Sequence, residues 1–486
     1  MNNRNVTDMT VGSPARHILK FTIPLLIGNL FQQLYNMVDS IVVGRYVSAH
    51  ALAAVGACGS LNFLFFSLSS GLAVGIGIIA AQYFGANDEK QLKKTIANSF
   101  YVLASAALLV TLIGVLFAGP ILRLLQTPEE YVADSINYFR VTCLGIIGIA
   151  IYNGVAALLR AVGDSKTPLY FLILSSIINV SLDLVFVIYF DLGVVGVALA
   201  TIIAQAVAAI VSIIYAYKKV SYFRLGKKDL RPDFSMIRDS FKLGSPVAVQ
   251  NSMIAVSCIA LQAVVNGFGA DVASAYTITG RIEQLVQQPY GSLGMALTSY
   301  TGQNIGAKKQ ERVVEGYRKA TLTVLAFSIV MLGLFFFLGR YICGIFVKEE
   351  AAEVIALGAR ALRITSPFYF ALGMIYVPRA VLNGCGDTGF ALINGMTEVV
   401  CRIVFANVLT RIPVLGYWGI WITTGLTWTF TAIVCVARYR SGKWRYKALE
   451  HGVKEPVKPI EKEQRKGCSA FDTAKRQPQA SRTRAS

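Results

Sequence analysis

The 486-residue chain is 55% hydrophobic and only 15% charged, too apolar for a soluble globular protein, and its apolar residues fall in runs of about 20 between short polar joints. It reads as an integral membrane protein. The net charge of +19 does not indicate nucleic acid, because the basic residues sit in the joints and the tail, where they face lipid headgroups and orient the chain.

The segment before the first span lacks the short apolar core and small-residue cleavage site of a signal peptide, so the first span should stay in the mature protein. Runs of spanning character follow at residues 18–43, 51–81, 92–118, 131–157, 168–190, 194–217, 241–266, 273–303, 319–338, 353–383, 390–411 and 416–437, about twelve at bilayer length. The expected fold class is an all-α membrane protein. Basic joints carry Lys90, Lys93 and Lys94, then Arg160 and Lys166, then the eight basic residues from Lys218 to Lys242, then Lys308, Lys309 and Arg312. The joints between them carry only Arg45, Arg123, Arg340, Lys348 and Arg411. By the positive-inside rule this alternation puts both termini and the long central loop in the cytoplasm. Residues 441–486 are polar and without periodicity, which reads as a disordered cytoplasmic tail, with Lys443, Arg445 and Lys447 as interfacial anchors. The cysteines form no CxxC pair or Cys/His cluster, so neither a disulfide framework nor a metal site is indicated. His17, His50 and His451 lie outside or at the ends of spans, which argues against a histidine proton relay.

Comparing the halves exposes a repeat. AAQYFGA (80–86) and TGQNIGA (301–307) each close the second span of a half, LRAVGDS (159–165) matches LNGCGDT (382–388), and Pro24 matches Pro246. Gly193 and Gly196 likewise match Gly416 and Gly419. Six spans per half is an even number, so both halves start on the same side and are related by an axis along the membrane normal. The expected domains are an N-terminal lobe (1–217), a basic cytoplasmic linker (218–240), a C-terminal lobe (241–440) and the tail (441–486). Two lobes around a central cleft imply alternating access. The glycines of GLAVGIGIIA fit no phosphate-loop spacing and are expected to permit close helix packing.

Ionisable residues inside spans are costly and usually mark an ion path. In the first span Gln32, Asn36 and Asp39 fall at i, i+4 and i+7 on one helical face. The fifth span repeats the device with Ser176, Asn179 and Asp183. Both helices run outward in the orientation above, which places Asp39 about 8 Å and Asp183 about 12 Å from their outer ends at about 1.5 Å per residue. Taken singly, Asp39 can reach the interface and Asn179 can serve a helix-to-helix hydrogen bond. Two acids at like depth, each backed by amides, favour a shared cation site, since paired carboxylates repel one another and can share a proton or a monovalent cation.

In the second half, Arg281 and Glu283 point to different faces of the eighth span; Glu283 with Gln287 makes a polar face suited to a cationic substrate, the alternative being a structural pairing of Glu283 with an arginine of a neighbouring helix. Glu398 and Arg402, at i and i+4, are expected to form a buried intrahelical ion pair. Phe31, Tyr35, Phe63 and Phe66 suit the lining of a cleft for flat aromatic compounds.

The stretches FTIPLLIGNLFQQLYNMVDSIVVG, GLAVGIGIIAAQYFGAND, LLRAVGDSKTP and INVSLDL, in this order and with the half-to-half repeat, resemble the bacterial multidrug and toxic compound extrusion (MATE) family from about Pro14 to Arg440. The resemblance implies a two-lobed, twelve-helix antiporter, not an enzyme, that exports amphipathic and often cationic organic compounds from the bacterial cytoplasmic membrane in exchange for H+ or Na+. No cofactor beyond the coupling ion and no metal centre is expected, nor a nucleic-acid partner; the partners are organic small molecules and the bilayer, and the state a monomer. In the branch with its cation site in the N-terminal lobe, the family's functional residues correspond to Asp39, Asn179 and Asp183, with Gln32, Tyr138 and Thr201, and more loosely Asn153. Another branch has acidic cation ligands in its C-terminal lobe, where this chain carries Ile254 and Leu372. Two alternatives from other classes are a lipid-linked oligosaccharide flippase of related architecture, whose anionic substrate would require a cleft rich in Arg and Lys, and a non-transporting scaffold, which needs no matched buried acids.

Overall fold

In lipid, a run of apolar residues can satisfy its backbone polar groups only internally, which makes each run a helix. The computed structural model describes residues 6–125, 127–346 and 352–447, and the regular elements among them are all helical. The helices are α1 (Pro14–Val42), α2 (Ala49–Gly85), α3 (Glu89–Leu124), α4 (Val132–Leu144), α5 (Ile146–Ala161), α6 (Lys166–Leu184) and α7 (Gly193–Lys219) in the first half. The second half has α8 (Phe234–Asn266), α9 (Ala270–Gly306), α10 (Gln310–Gly344), α11 (Ala352–Thr365), α12 (Tyr369–Gly384), α13 (Phe390–Leu409) and α14 (Gly419–Arg440). Taking α4–α5 and α11–α12 as one bent membrane segment each, the two lobes have six segments apiece. The tail and its cysteine, Cys468, lie outside the described residues apart from 441–447.

Two segments depart from the straight spans expected. At Gly145 the chain tightens, its N–H donating to Thr142 O at 3.0 Å, and α4 meets α5 at 43°. Between α11 and α12 a 3-10 turn, Ser366–Phe368, contains Pro367, which cannot donate to a continuing helix. At Pro24, by contrast, α1 runs through without a break. Among the described residues, eight helices are long and apolar enough to cross a membrane, nine if α4–α5 counts as one span. α1 and α9, which carry Gln32, Asn36, Asp39 and Arg281, Glu283, Gln284, fall short of that mark. α6 and α13, which carry Asn179, Asp183, Glu398 and Arg402, pass it.

One end of the bundle is joined across the lobes by reciprocal contacts of the repeated motifs. Gln82 Nε2 donates to Gly384 O at 2.9 Å, and its counterpart Gln303 Nε2 donates to Ala161 O at 2.8 Å; Ala161 and Gly384 hold the same position in LRAVGDS and LNGCGDT. Gly85 lies against Gln303 O and Gly306 against Gln82 O so closely that neither position has room for a Cβ. The glycines of GLAVGIGIIA behave as expected, with Gly75 packed on the backbone of Gly244 in α8. Residues 9–12 form a strap over the same end. Met9 N donates to Gln303 Oε1 at 2.9 Å, Met9 O accepts from Asn304 and Arg312, Lys309 Nζ donates to Thr10 O at 2.9 Å, and Arg312 Nη1 to Gly12 O at 2.9 Å.

Candidate cation and substrate sites

α1 and α6 deliver the two expected acids to one place. Asp39 stands one turn before a π-helical turn, Val43–Val47, that ends the first segment, and Asp183 stands just before another, Val185–Tyr189. π-turns in α-helices are uncommon and concentrate at functional sites. Asp183 is fully buried, and each carboxylate lies within side-chain hydrogen-bond reach of the other. Asp39 Oδ1 and both oxygens of Asp183 meet no donor among the described residues. Two carboxylates so placed repel one another unless a proton or a cation lies between them.

The surroundings sort the remaining candidates. Tyr35, expected as a substrate contact, lies beside Asp39 and Gln32, so it belongs with the acids. Tyr138 stands beside both acids. Asn179 Nδ2 donates to Thr201 Oγ1 at 3.3 Å, and its buried Oδ1 has no donor among the described residues. Asn153 has a buried Nδ2 without an acceptor among the described residues. Asn36 is exposed, and the contact it makes is backbone, its carbonyl accepting from Ser40 Oγ at 3.0 Å. Toward the end of the lobe away from the strap, Val42, Val43, Val187, Val194 and Val197 form an apolar cluster with Val38 and Tyr138 against it. That cluster keeps the polar group poorly hydrated, which strengthens every charge interaction inside it.

The substrate candidates divide between the lobes. Glu283 and Gln287 line a cavity of about 470 Å³ in the C-terminal lobe together with Ile254 and Leu372, whereas Phe31 and Tyr35 lie on α1 and take no part in its walls. Arg281 lines the same cavity as Glu283 despite the two-residue offset between them. Glu398 and Arg402 form the expected ion pair at 2.9 Å. Glu283 makes no ion pair among the described residues. The residues that sequence reasoning missed here are Arg379, Tyr376, Tyr276 and Trp428. Arg379 was open to the rule that singled out Arg281 and Arg402, since it also lies within a span; the aromatic walls carried no such signal.

The MatE family model matches residues 24–185 and 246–408, one stretch in each half. The chain is 28% identical over 83% of its length to the "Probable multidrug resistance protein YoeA" of Bacillus subtilis, covering 89% of that protein. It is 24% identical over 80% of its length to the "Multidrug export protein MepA" of Staphylococcus aureus, covering 86% of it. Among solved structures, the outward-facing conformation of a multidrug resistance MATE family transporter of the MOP superfamily superposes with a TM-score of 0.85 at 24% identity, over 91% of this chain and 98% of that one. The two-lobed helical architecture is common to both.

Proposed function

The chain belongs to the MatE family, and on that premise we propose that it exports amphipathic, often cationic organic compounds across a bacterial cytoplasmic membrane by antiport with H+ or Na+. The lobes are residues 1–217 and 241–440, joined by the cytoplasmic linker 218–240, and the working unit is a monomer with both termini inside. The observation that carries the reading is the Asp39–Asp183 pair, two facing carboxylates with three oxygens that no donor among the described residues satisfies. The names of the relatives speak for multidrug export, and nothing favours the flippase alternative.

The mechanism follows from what these groups cost when charged. A proton or monovalent cation arriving from outside is shared by Asp39 and Asp183, with Tyr138, Gln32 and the Asn179–Thr201 pair as the neutral polar groups around it. Relieving the repulsion lets α1 draw toward α6 and narrows the N-terminal lobe, expelling cargo. With the basic joints in the cytoplasm, the end joined by Gln82, Gln303 and the strap is the cytoplasmic gate. It must part for the inward-facing state, in which the cation leaves and cargo enters. The deciding measurement is efflux of a fluorescent cation such as ethidium from proteoliposomes, first under a pH gradient without sodium and then under a sodium gradient at fixed pH. Drive by one gradient assigns the coupling ion; efflux insensitive to both refutes antiport.

A further inference from the structure

α8, α9, α12, α13 and α14 enclose the C-terminal-lobe cavity, whose volume of about 470 Å³ suits a drug-sized molecule. Leu372, Ile375 and Trp428 give it apolar and aromatic walls. Five charged side chains share the lining: Arg281, Glu283, Arg379, Glu398 and Arg402. One pair closes on itself, since Arg402 Nη2 and Glu398 Oε1 lie 2.9 Å apart with the side chains 7% and 8% exposed. The Nη1 of the same guanidinium meets the Cys258 thiol at 3.0 Å, while its buried Nε has no acceptor among the described residues. Arg379 lies over the ring of Tyr376, 4.6 Å from its centroid, a contact that orients a guanidinium without cancelling its charge. Glu283, Arg281 and Arg379 are in no ion pair among the described residues.

Setting aside the closed pair, the cavity offers one carboxylate and two guanidinium groups beside aromatic surface. A purely cationic ligand would meet an excess of positive charge there. A purely anionic one would leave Glu283 with only Arg402 to offset it, a guanidinium already held by Glu398, and a desolvated charge without a full partner is costly. We infer that this cavity binds an amphoteric aromatic molecule, with its amine at Glu283 and its carboxylate at Arg379 and Arg281. The site is separate from the Asp39–Asp183 pair, which lies in the other lobe. As cargo for export the molecule depends on the transport reading above; its binding does not.

Full-length protein in lipid nanodiscs is titrated calorimetrically with 3-(2-naphthyl)alanine, which is zwitterionic, with its methyl ester, which is cationic, and with its N-acetyl derivative, which is anionic. One charge-assisted contact on each side makes the zwitterion at least about tenfold tighter than either relative. Arg379→Gln lowers it to the level of the ester, and Glu283→Gln to that of the N-acetyl acid. A measurement without any variant places the ligand: Cys258 is exposed on the cavity wall, and the zwitterion slows its modification by N-ethylmaleimide, read from the Cys258 peptide by mass spectrometry. Equal binding of the three probes, no binding of the zwitterion, or unchanged Cys258 modification overturns the assignment. Ethidium efflux without a zwitterion preference refutes the cavity alone, and a zwitterion preference without efflux refutes the transport reading alone.

Discussion

Gln303→Ala tests whether the reciprocal motif contacts act as the gate. In the structure this side chain holds two backbone groups of other segments, accepting from Met9 N at 2.9 Å and donating to Ala161 O at 2.8 Å. Truncation removes both bonds, each about 1 kcal/mol net where water can replace the lost partner. The joined conformation is then disfavoured by about 2 kcal/mol, roughly 30-fold in the opening equilibrium. The readout is Cys385, which lies in LNGCGDT at the joined end and is fully buried. Its modification by N-ethylmaleimide in membranes, followed by mass spectrometry of its peptide, should accelerate by about that factor, with the thermal stability of the helical signal little changed. Gly306→Ala should accelerate it too, because a Cβ there meets Gln82 O. Modification at the wild-type rate in both variants would show that the contacts carry no gating energy.

Asp39→Asn should insert normally but lose coupled efflux. If the two acids share one ion, as proposed, Asp39→Asn, Asp183→Asn and the double variant should lose nearly the same activity; losses that multiply independently would mean two separate sites. Arg402→Met leaves Glu398 buried without its partner and should cost about 3–5 kcal/mol, seen as a lower melting temperature in detergent. Adding Glu398→Leu should restore much of it, and equal melting of the single and double variants would deny the pair that role. A cysteine placed between Lys218 and Lys242 should resist impermeant thiol reagents in intact cells; labelling from outside would reverse the topology.

Spans, repeat and acid pair were legible in the sequence because each is written in local periodicity or in the distance between like motifs. The cost of burying a charge made Asp39 and Asp183 conspicuous, and the same rule would have caught Arg379. What periodicity cannot report is which faces meet. Tyr35 sits on the face of α1 that the sequence assigned to substrate, yet its neighbours are Gln32 and Asp39, a fact decided by how α1 packs on α6. The π-turns after both acids shift the helical register by one residue, and the second, Val185–Tyr189, contains no Gly or Pro to announce it. AAQYFGA and TGQNIGA were visible as a repeat, but the hydrogen bonds that Gln82 gives Gly384 and Gln303 gives Ala161 depend on close approach of the lobes, which no one-dimensional pattern encodes. Asn36 obeys the polar stripe and still lies exposed, because an i+4 offset from Gln32 fixes direction and not depth.

The strap imposes an order on biosynthesis. Met9 is separated by 294 residues from Gln303 and by 303 from Arg312. At roughly 5–20 residues per second, residues 9–12 leave the ribosome some 15–60 seconds before the groups that bind them exist. During that interval the first lobe can be inserted and packed while its strap has nothing to hold. Closure of the joined end is therefore an event of late translation, and a chain stalled before α9 would carry a complete acid pair behind a gate that cannot shut.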